Sequence, residues 1–390
     1  MAFPFFSRRW WLLLLGAGLL LAQGLGWWPR RPAAAPEGWV TAHYARPPTA
    51  VNSASPDRGS RGAWAFDSSR MRGVSWVGGD SITAIDLEPL RQAHVTWITQ
   101  MPFGWQGDAA TPVIRAQTGR PTGRYGLWGE SDAGLLHTAR LARQHGIRTL
   151  LKPHLWVGGR HSWPGDINMT SAADWNAWFA GYSRFILHYA QLAETGHFSG
   201  LCIGTELQHA TEPAHDQAWR TLIRQIRAVY HGPLTYAANW SGEYQQITFW
   251  DALDYVGIQA YFPLSSAVRP SLGVLRQGWQ PHLRALAAWQ KKVNKPVVFT
   301  EIGYKATPDA AARPWEWPER TASPIAPDEA TQARCYEAMF RACWGQPWLK
   351  GLFIWKWYPG LTANGPARRH ADFTPQHKPA EAVLTHWYRP

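Results

Sequence analysis

The sequence predicts a (β/α)8 barrel, the TIM-barrel fold, formed by a single domain over residues 71–390. Eight short apolar runs, rich in β-branched and aromatic residues, alternate with helical segments in this region. The runs are continuously apolar, which is typical of parallel strands that are covered by helices. No run is followed by a glycine-rich phosphate-binding turn, so a doubly wound open sheet is the weaker alternative.

The individual elements follow from the apolar spacing. The strands are predicted at 72–76, 95–100, 148–154, 201–205, 234–238, 255–259, 297–300 and 351–355. The helices carry an apolar stripe at 3.6-residue spacing and are predicted at 85–93, 133–145, 173–194, 216–230, 243–250, 272–292 and 328–343, with a last one after Pro379.

The first 70 residues differ in composition from the rest. Residues 1–28 are predicted to be a signal peptide or a signal anchor, because Arg8 and Arg9 precede an apolar run and small residues follow it. The run is short for a bilayer span of about 20 residues, but tryptophans and arginines after it could flank a retained anchor, so both alternatives stay open. Residues 29–70, rich in Pro, Ala, Ser and Arg, predict a flexible tether. We expect an exported protein that is periplasmic, extracellular or membrane-anchored.

The net charge of +12 does not indicate a nucleic-acid partner. Before Gly73 there are nine arginines, no lysine and three acidic residues, so half of the charge lies in the N-terminal segment. The remainder is spread over more than 300 residues without a basic run. A polyanion-binding protein is therefore the weakest of the functional alternatives.

Cysteine and histidine spacing predicts neither a disulfide framework nor a metal site. Cys335 and Cys343 lie in one predicted helix about 12 Å apart, too far to bridge, so all three cysteines are expected to be buried thiols. The histidines 154, 209 and 215 show no HxH or HExxH spacing. We expect no metal and no other cofactor.

The 26 tryptophans are the strongest compositional signal. Aromatic planes fill cores, and they also stack on the flat apolar faces of sugar rings. Core packing is the first explanation for any single tryptophan, but as a set they favour a carbohydrate ligand over a phosphate ligand.

Active sites of such barrels lie at the carboxyl ends of the strands, so we examined the polar and aromatic residues that end each run. Two glutamates stand out, because Glu206 ends the fourth predicted strand and Glu301 ends the seventh. Carboxylates at these positions could converge on one bond, as hydrolysis of a glycoside with retention requires. The alternative is two unrelated salt bridges. Other candidates for substrate binding are Trp76, Lys152, His154, Trp156, Asn239, Trp240, Tyr261 and Trp355.

Several motifs together resemble glycoside hydrolase family 113, a family of retaining β-1,4-mannanases. They include KPHLW (152–156), CIGTEL (202–207), LTYAANW (234–240), FTEIGYK (299–305) and WKWYPG (355–360). The resemblance extends from Gly73 to Tyr388. It implies that Glu206 is the general acid/base, that Glu301 is the nucleophile, that Tyr261 hydrogen-bonds the nucleophile, and that Trp355 forms the floor beneath the reacting sugar.

One position departs from the wider clan. Most members have Asn directly before the acid/base, where it contacts the sugar 2-hydroxyl, whereas this chain has Thr205. Asn239, or Lys152 with His154, would have to replace that contact. The expected function is hydrolysis of β-1,4-mannosidic linkages in mannan or manno-oligosaccharides. The alternatives are the same chemistry on another β-linked glycan and a non-catalytic glycan-binding barrel.

Overall fold

The computed structural model describes residues 70–116, 127–159, 162–318, 326–365 and 370–390. Its strands are β1 (Met71–Trp76), β2 (Trp97–Gln100), β3 (Phe103–Gln106), β4 (Ile114–Ala116), β5 (Arg148–Leu151), β6 (His154–Val157), β7 (Gly200–Thr205), β8 (Leu234–Asn239), β9 (Val256–Gln259), β10 (Val297–Ile302) and β11 (Leu349–Trp357). Its α-helices are α1 (Ala84–Gln92), α2 (Asp132–Gln144), α3 (Ala172–Thr195), α4 (Asp216–Arg227), α5 (Glu243–Gln246), α6 (Leu272–Val293), α7 (Glu329–Cys343) and α8 (Pro379–Tyr388).

Eight of the strands close into a parallel barrel in the order β1-β11-β10-β9-β8-β7-β5-β2. The helices surround it, so the predicted (β/α)8 fold is confirmed. Most predicted bounds lie within two residues of the observed ones. The strands β7 and β10 are separated by β8 and β9 on one side of the barrel and by the other four strands on the opposite side.

The segment predicted as one strand at 148–154 is two strands. The barrel strand β5 ends at Leu151, and β6 begins at His154 in a separate sheet of order β4-β3-β6. Pro153 lies between them and has no N–H to continue the barrel ladder. The strands β3 and β4, which are four and three residues long, are absent from the elements predicted from the sequence. This small sheet, called the side sheet below, lies beyond the carboxyl ends of β2 and β5.

The barrel interior has an apolar layer and a polar one. The apolar layer takes one residue from each barrel strand or the position just before it: Met71, Trp97, Leu150, Cys202, Ala237, Tyr255, Val298 and Phe353. Nearer the carboxyl ends the buried interior residues are polar, among them Lys152, Gln259 and Thr300. The apolar layer therefore closes one end of the barrel, and the polar layer forms the base of the site at the other.

A second and larger apolar cluster lies between the strands and the surrounding helices. It contains the fully buried rings of Trp178, Trp219 and Trp279, so several tryptophans serve packing. The helices α3 and α7 start at side-chain caps that satisfy free backbone N–H groups: Ser171 accepts from Asp174 N at 3.1 Å, and Asp328 accepts from Thr331 N at 2.8 Å.

The predicted signal segment at 1–28 and the predicted tether at 29–70 lie outside the described residues, apart from Arg70. The Arg70 guanidinium donates to Leu349 O at 3.1 Å. Within the described ranges, no helix is both long enough and apolar enough to cross a bilayer.

Gly257 in β9 provides a test of the interior packing. A Cβ there would lie 2.5 Å from Tyr236 O and 2.8 Å from Thr300 Cγ2, so Gly257→Ala is expected to lower the free energy of unfolding by about 1–3 kcal/mol. Chemical denaturation measures the change. Gly345→Ala is the control, because a Cβ there meets no atom within 4 Å. Equal stability of the two variants would contradict the packing described for the interior.

Candidate active site

Glu301 lies in β10 and is bound by two side chains that come just after the strands β5 and β9. Lys152 Nζ donates to Glu301 Oε1, and Tyr261 OH donates to Glu301 Oε2 at 2.7 Å. The Glu301 residue is 4% exposed and Lys152 is fully buried. A cation and a hydroxyl donor on the two oxygens stabilise the ionised carboxylate.

Lys152 directly follows β5 and spans the polar interior of the barrel. Besides Glu301, its ammonium donates to Thr300 O at 3.3 Å and to Gln259 Oε1 at 3.5 Å. Burial of a lysine is costly unless the charge is paired and hydrogen-bonded, and here both conditions are met.

Glu206 directly follows β7 and has a left-handed backbone with φ of +51°. Its two carboxyl oxygens accept hydrogen bonds from different elements: Asn239 Nδ2 donates to Oε1 at 2.7 Å, and Trp163 Nε1 donates to Oε2 at 2.8 Å. Burial raises the pKa of Glu206 to about 7; the Trp163 and Asn239 hydrogen bonds oppose the shift, and the Glu301 charge adds to it. A substantial fraction of Glu206 is therefore protonated near neutral pH.

The two carboxyl groups differ in their surroundings. Glu206 has neutral donors and no cation in hydrogen-bond contact among the described residues, whereas Glu301 has the Lys152 ammonium. Two interacting carboxyl groups in environments of this kind can divide into an acid and a carboxylate.

His154 lies next to this pair at the start of β6. Its Nε2 is 3.9 Å from Glu301 Oε1, and this buried atom has no hydrogen-bond partner among the described residues. Burial and the Lys152 charge lower the pKa of His154 well below its usual value. The imidazole is therefore neutral and leaves one ring nitrogen available to a ligand.

Aromatic side chains surround the mouth of the barrel. Trp355, at the carboxyl end of β11, has its ring 6.0 Å from Lys152 Nζ. Trp240 stacks on Trp315 at 5.2 Å between ring centroids, and Trp315 is 43% exposed. Trp240 belongs to the loop that follows β8, and Trp315 belongs to the loop that follows β10.

The side sheet carries a second aromatic pair. Trp156 is 45% exposed and stacks on Phe103, with 5.3 Å between ring centroids and 28° between ring planes. Phe103 also contacts the His154 ring at 5.6 Å. The pair therefore adjoins the site through His154.

The structure brings together most of the predicted site residues, but not all of them. Glu206 is bound by Asn239, and Glu301 is bound by Lys152 and Tyr261 with His154 3.9 Å away. The two groups interact through charge, since Glu301 adds to the raised pKa of Glu206. Trp76 is 2% exposed and belongs to the apolar cluster between strands and helices, and among the described residues it has no hydrogen bond to either glutamate.

Two residues make contacts with the site that are not evident from the sequence. Trp163 lies in the loop after β6, and its indole N–H donates to Glu206, a contact that its position in the sequence does not indicate. The sequence predicts Glu243 only as the start of a helix, whereas it is fully buried and accepts a hydrogen bond from Asn239 N at 2.6 Å. The one signal in the sequence is the position of Glu243, an acidic residue at the start of a short helix that follows a barrel strand.

The predicted cysteine state is confirmed, because Cys202, Cys335 and Cys343 are free and buried. Among the described residues, no group of three or more His, Cys, Asp or Glu side chains is placed to hold a metal ion.

A family model matches this chain over residues 66–378, and it is that of Glycoside Hydrolase Family 113. The protein is thus a glycoside hydrolase with a (β/α)8 barrel. The chain belongs to glycoside hydrolase family 113. A search of curated protein sequences gives no significant match.

Solved structures of the same family are similar in fold. A GH113 β-mannanase from Alicyclobacillus acidocaldarius is 28% identical with a TM-score of 0.69, and the match covers 83% of this chain and 98% of that one. A GH113 β-1,4-mannanase is 25% identical with a TM-score of 0.68, covering 82% and 99%. A β-glucuronidase from Ruminococcus gnavus, 12% identical with a TM-score of 0.53, covers 82% of this chain and 50% of its own, and shows the fold alone.

The Trp163 hydrogen bond gives a prediction for pH dependence. The bond lowers the pKa of Glu206, so Trp163→Phe is expected to raise that pKa. If hydrolysis needs Glu206 protonated, activity falls as pH rises through its pKa, and the alkaline limb of the kcat/KM profile should move to higher pH. Trp387→Phe is the matched control, because it removes an indole hydrogen bond to Glu337, a carboxylate on α7 outside the barrel. If the alkaline limb of Trp163→Phe does not move, the requirement for a protonated Glu206 is contradicted.

Proposed function

We propose that this protein hydrolyses β-1,4-mannosidic linkages in mannan or manno-oligosaccharides with retention of configuration, with Glu206 as general acid/base and Glu301 as nucleophile. The observation that carries the proposal is the difference between the two carboxyl groups. Burial raises the pKa of Glu206 to about 7, whereas Glu301 is bound by Lys152 and Tyr261. Retaining hydrolysis needs one protonated acid and one ionised nucleophile.

The reaction proceeds in two steps. Glu301 attacks the anomeric carbon, the bond from that carbon to the bridging oxygen breaks, and Glu206 gives its proton to that oxygen. In the second step Glu206 takes a proton from water, the water oxygen attacks the same carbon, and the ester bond to Glu301 breaks. Each step inverts the anomeric carbon, so the product retains the original configuration.

The substrate contacts follow from the residues around the two glutamates. His154 Nε2 is buried, unpartnered among the described residues and near Glu301, so it is the best placed candidate for a sugar hydroxyl. Asn239 already donates to Glu206, which makes His154 the stronger candidate for the contact that Asn makes elsewhere in the clan. Trp355 provides an aromatic surface for the reacting sugar.

Mannan as substrate is supported by family membership and by the mannanase relatives of 25% and 28% identity. The second candidate is another β-linked glycan, favoured by Thr205, which is 4% exposed and replaces the clan Asn. A panel of mannan, glucomannan, cellulose and xylan oligosaccharides separates the two. A strong preference for glucan or xylan would exclude the mannan assignment.

Glu301→Gln tests the mechanism. The variant has no nucleophile, so turnover of mannohexaose is expected to fall by several orders of magnitude while oligosaccharide binding persists. NMR of the wild-type products gives the anomeric configuration, and calorimetry of the folded variant gives binding. Near wild-type hydrolysis by Glu301→Gln, or inverted products from the wild type, would exclude the proposal.

Trp156 tests whether the side sheet contacts the substrate. Trp156→Ala is expected to lower kcat/KM for mannohexaose on the order of 10-fold, because a stacking contact contributes about 0.5–1.5 kcal/mol beyond its buried area. A short substrate such as mannotriose should change by no more than about 2-fold if it does not reach this surface. Val274→Ala on α6, also an exposed apolar residue, is the control. An equal loss of kcat/KM on mannohexaose and mannotriose would show that Trp156 does not contact the additional sugars of the longer substrate.

A further inference from the structure

Glu243 is a carboxyl group that the proposed reaction does not use. It is the first residue of α5, and it is fully buried beneath the segment that carries Glu206. A buried carboxyl group is costly unless its oxygens are hydrogen-bonded, so its partners indicate what it holds in place.

Both oxygens of Glu243 are hydrogen-bonded. Tyr236 OH donates to Oε1 at 2.6 Å, and Thr211 Oγ1 donates to the same oxygen at 3.1 Å. The backbone N–H of Asn239 donates to Oε2 at 2.6 Å. These donors come from β8 and from the segment after Glu206, so one side chain joins the two.

One connection from Glu243 leads to the Glu206 carboxyl group. The bond to Asn239 N fixes the last residue of β8, whose side-chain Nδ2 donates to Glu206 Oε1. Asn239 Oδ1 accepts from Ser241 N at 2.7 Å, which keeps the Nδ2 end of the amide directed at Glu206.

The other connection leads to the backbone at Glu206. Tyr236 OH accepts a hydrogen bond from Leu207 N at 2.6 Å, and Leu207 directly follows Glu206. Glu206 has a φ of +51°, which costs free energy in a residue with a side chain and persists only when the surroundings hold it. The Tyr236 hydroxyl, itself bound by Glu243, is one such constraint.

We propose that Glu243 is a positioning residue for the acid/base: it holds the Asn239 amide and, through Tyr236, the Leu207 N–H, and thereby fixes the orientation of the Glu206 carboxyl group. The proposal rests on the proposed role of Glu206. It predicts that loss of Glu243 impairs proton transfer by Glu206 more than nucleophilic attack by Glu301, whose partners Lys152 and Tyr261 do not contact Glu243.

The protonation state of Glu243 decides which substitution is conservative. Burial raises the pKa of Glu243 to about 8; hydrogen bonds from Asn239 and Tyr236 oppose the shift, and the Glu206 charge adds to it. Burial also raises the pKa of Tyr236 well above its usual value. Burial therefore disfavours charge on either group, and Glu243→Gln, which is uncharged and has nearly the same shape, is the conservative substitution.

The experiment compares two aryl β-mannobiosides that differ in their leaving group. Dinitrophenolate departs without a proton, whereas phenolate needs one from Glu206. Glu243→Ala is expected to lower kcat/KM about 100-fold for the phenyl substrate and less than about 3-fold for the dinitrophenyl substrate. Glu243→Gln should restore most of the wild-type ratio.

Azide should form β-mannosyl azide in Glu243→Ala, because azide displaces Glu301 without a general base.

Asp254→Ala is the matched control for a structural effect. Asp254 also accepts from a backbone N–H of β8, that of Leu234 at 2.7 Å, but at the opposite end of the strand. It should lower the melting temperature and leave the ratio of the two substrates unchanged. Should Glu243→Ala fail to fold, Tyr236→Phe removes the hydroxyl between Glu243 and Leu207 N and should raise the ratio by a smaller factor.

The outcomes are distinct. A folded Glu243→Ala or Tyr236→Phe variant with the wild-type ratio, or with equal losses on both substrates, would overturn the role of Glu243. A wild-type protein that is inert on both mannobiosides but active on another aryl glycoside contradicts the mannan assignment instead, and the same comparison then applies with that glycoside.

Discussion

The contact between Lys152 and Glu301 is the interaction on which the rest of the site depends. It joins the end of β5 to β10 across the barrel interior, with both side chains almost fully removed from solvent. Breaking a buried ion pair by removing one partner typically costs about 3–5 kcal/mol, because the remaining charge is left uncompensated. The polar layer formed by Gln259 and Thr300 supplies further hydrogen bonds to the ammonium, and so makes a buried lysine tolerable at this position.

The pKa of Glu206 is set by the burial of its carboxyl group, by its hydrogen-bond donors and by the charges of this ion pair. Among the described residues its carboxyl group receives only neutral donors, from Trp163 and Asn239, and the Glu301 charge adds to its raised pKa. Burial therefore dominates and raises its pKa to about 7. Two residues of the same type thus have different surroundings, because one is bound by a cation and the other is not, and such a difference can separate an acid from a carboxylate. The aromatic pairs around the mouth add flat surfaces suited to sugar rings.

Much of the architecture could be predicted from the sequence. The apolar runs and helical stripes identified all eight barrel strands and the long helices, since both depend on local periodicity. The side sheet was missed because β3 and β4 are too short to carry a periodic signal, and because Pro153 divides what looks like one apolar run. The positions of Glu206 and Glu301 at strand ends could likewise be found, since strand ends are a local property.

The sequence by itself determined the barrel, the two strand-end glutamates and the motifs of the family. Only the tertiary structure decided how the glutamates differ, because burial and hydrogen-bond partners come from residues far apart in the chain: Lys152 is 149 residues from Glu301, and Trp163 is 43 residues from Glu206. For the same reason the role of Glu243 could not be predicted, since its local sequence indicates only the start of a helix. Its contacts with Tyr236, Thr211 and Asn239 exist only because β8 and the segment after β7 come together in the folded barrel.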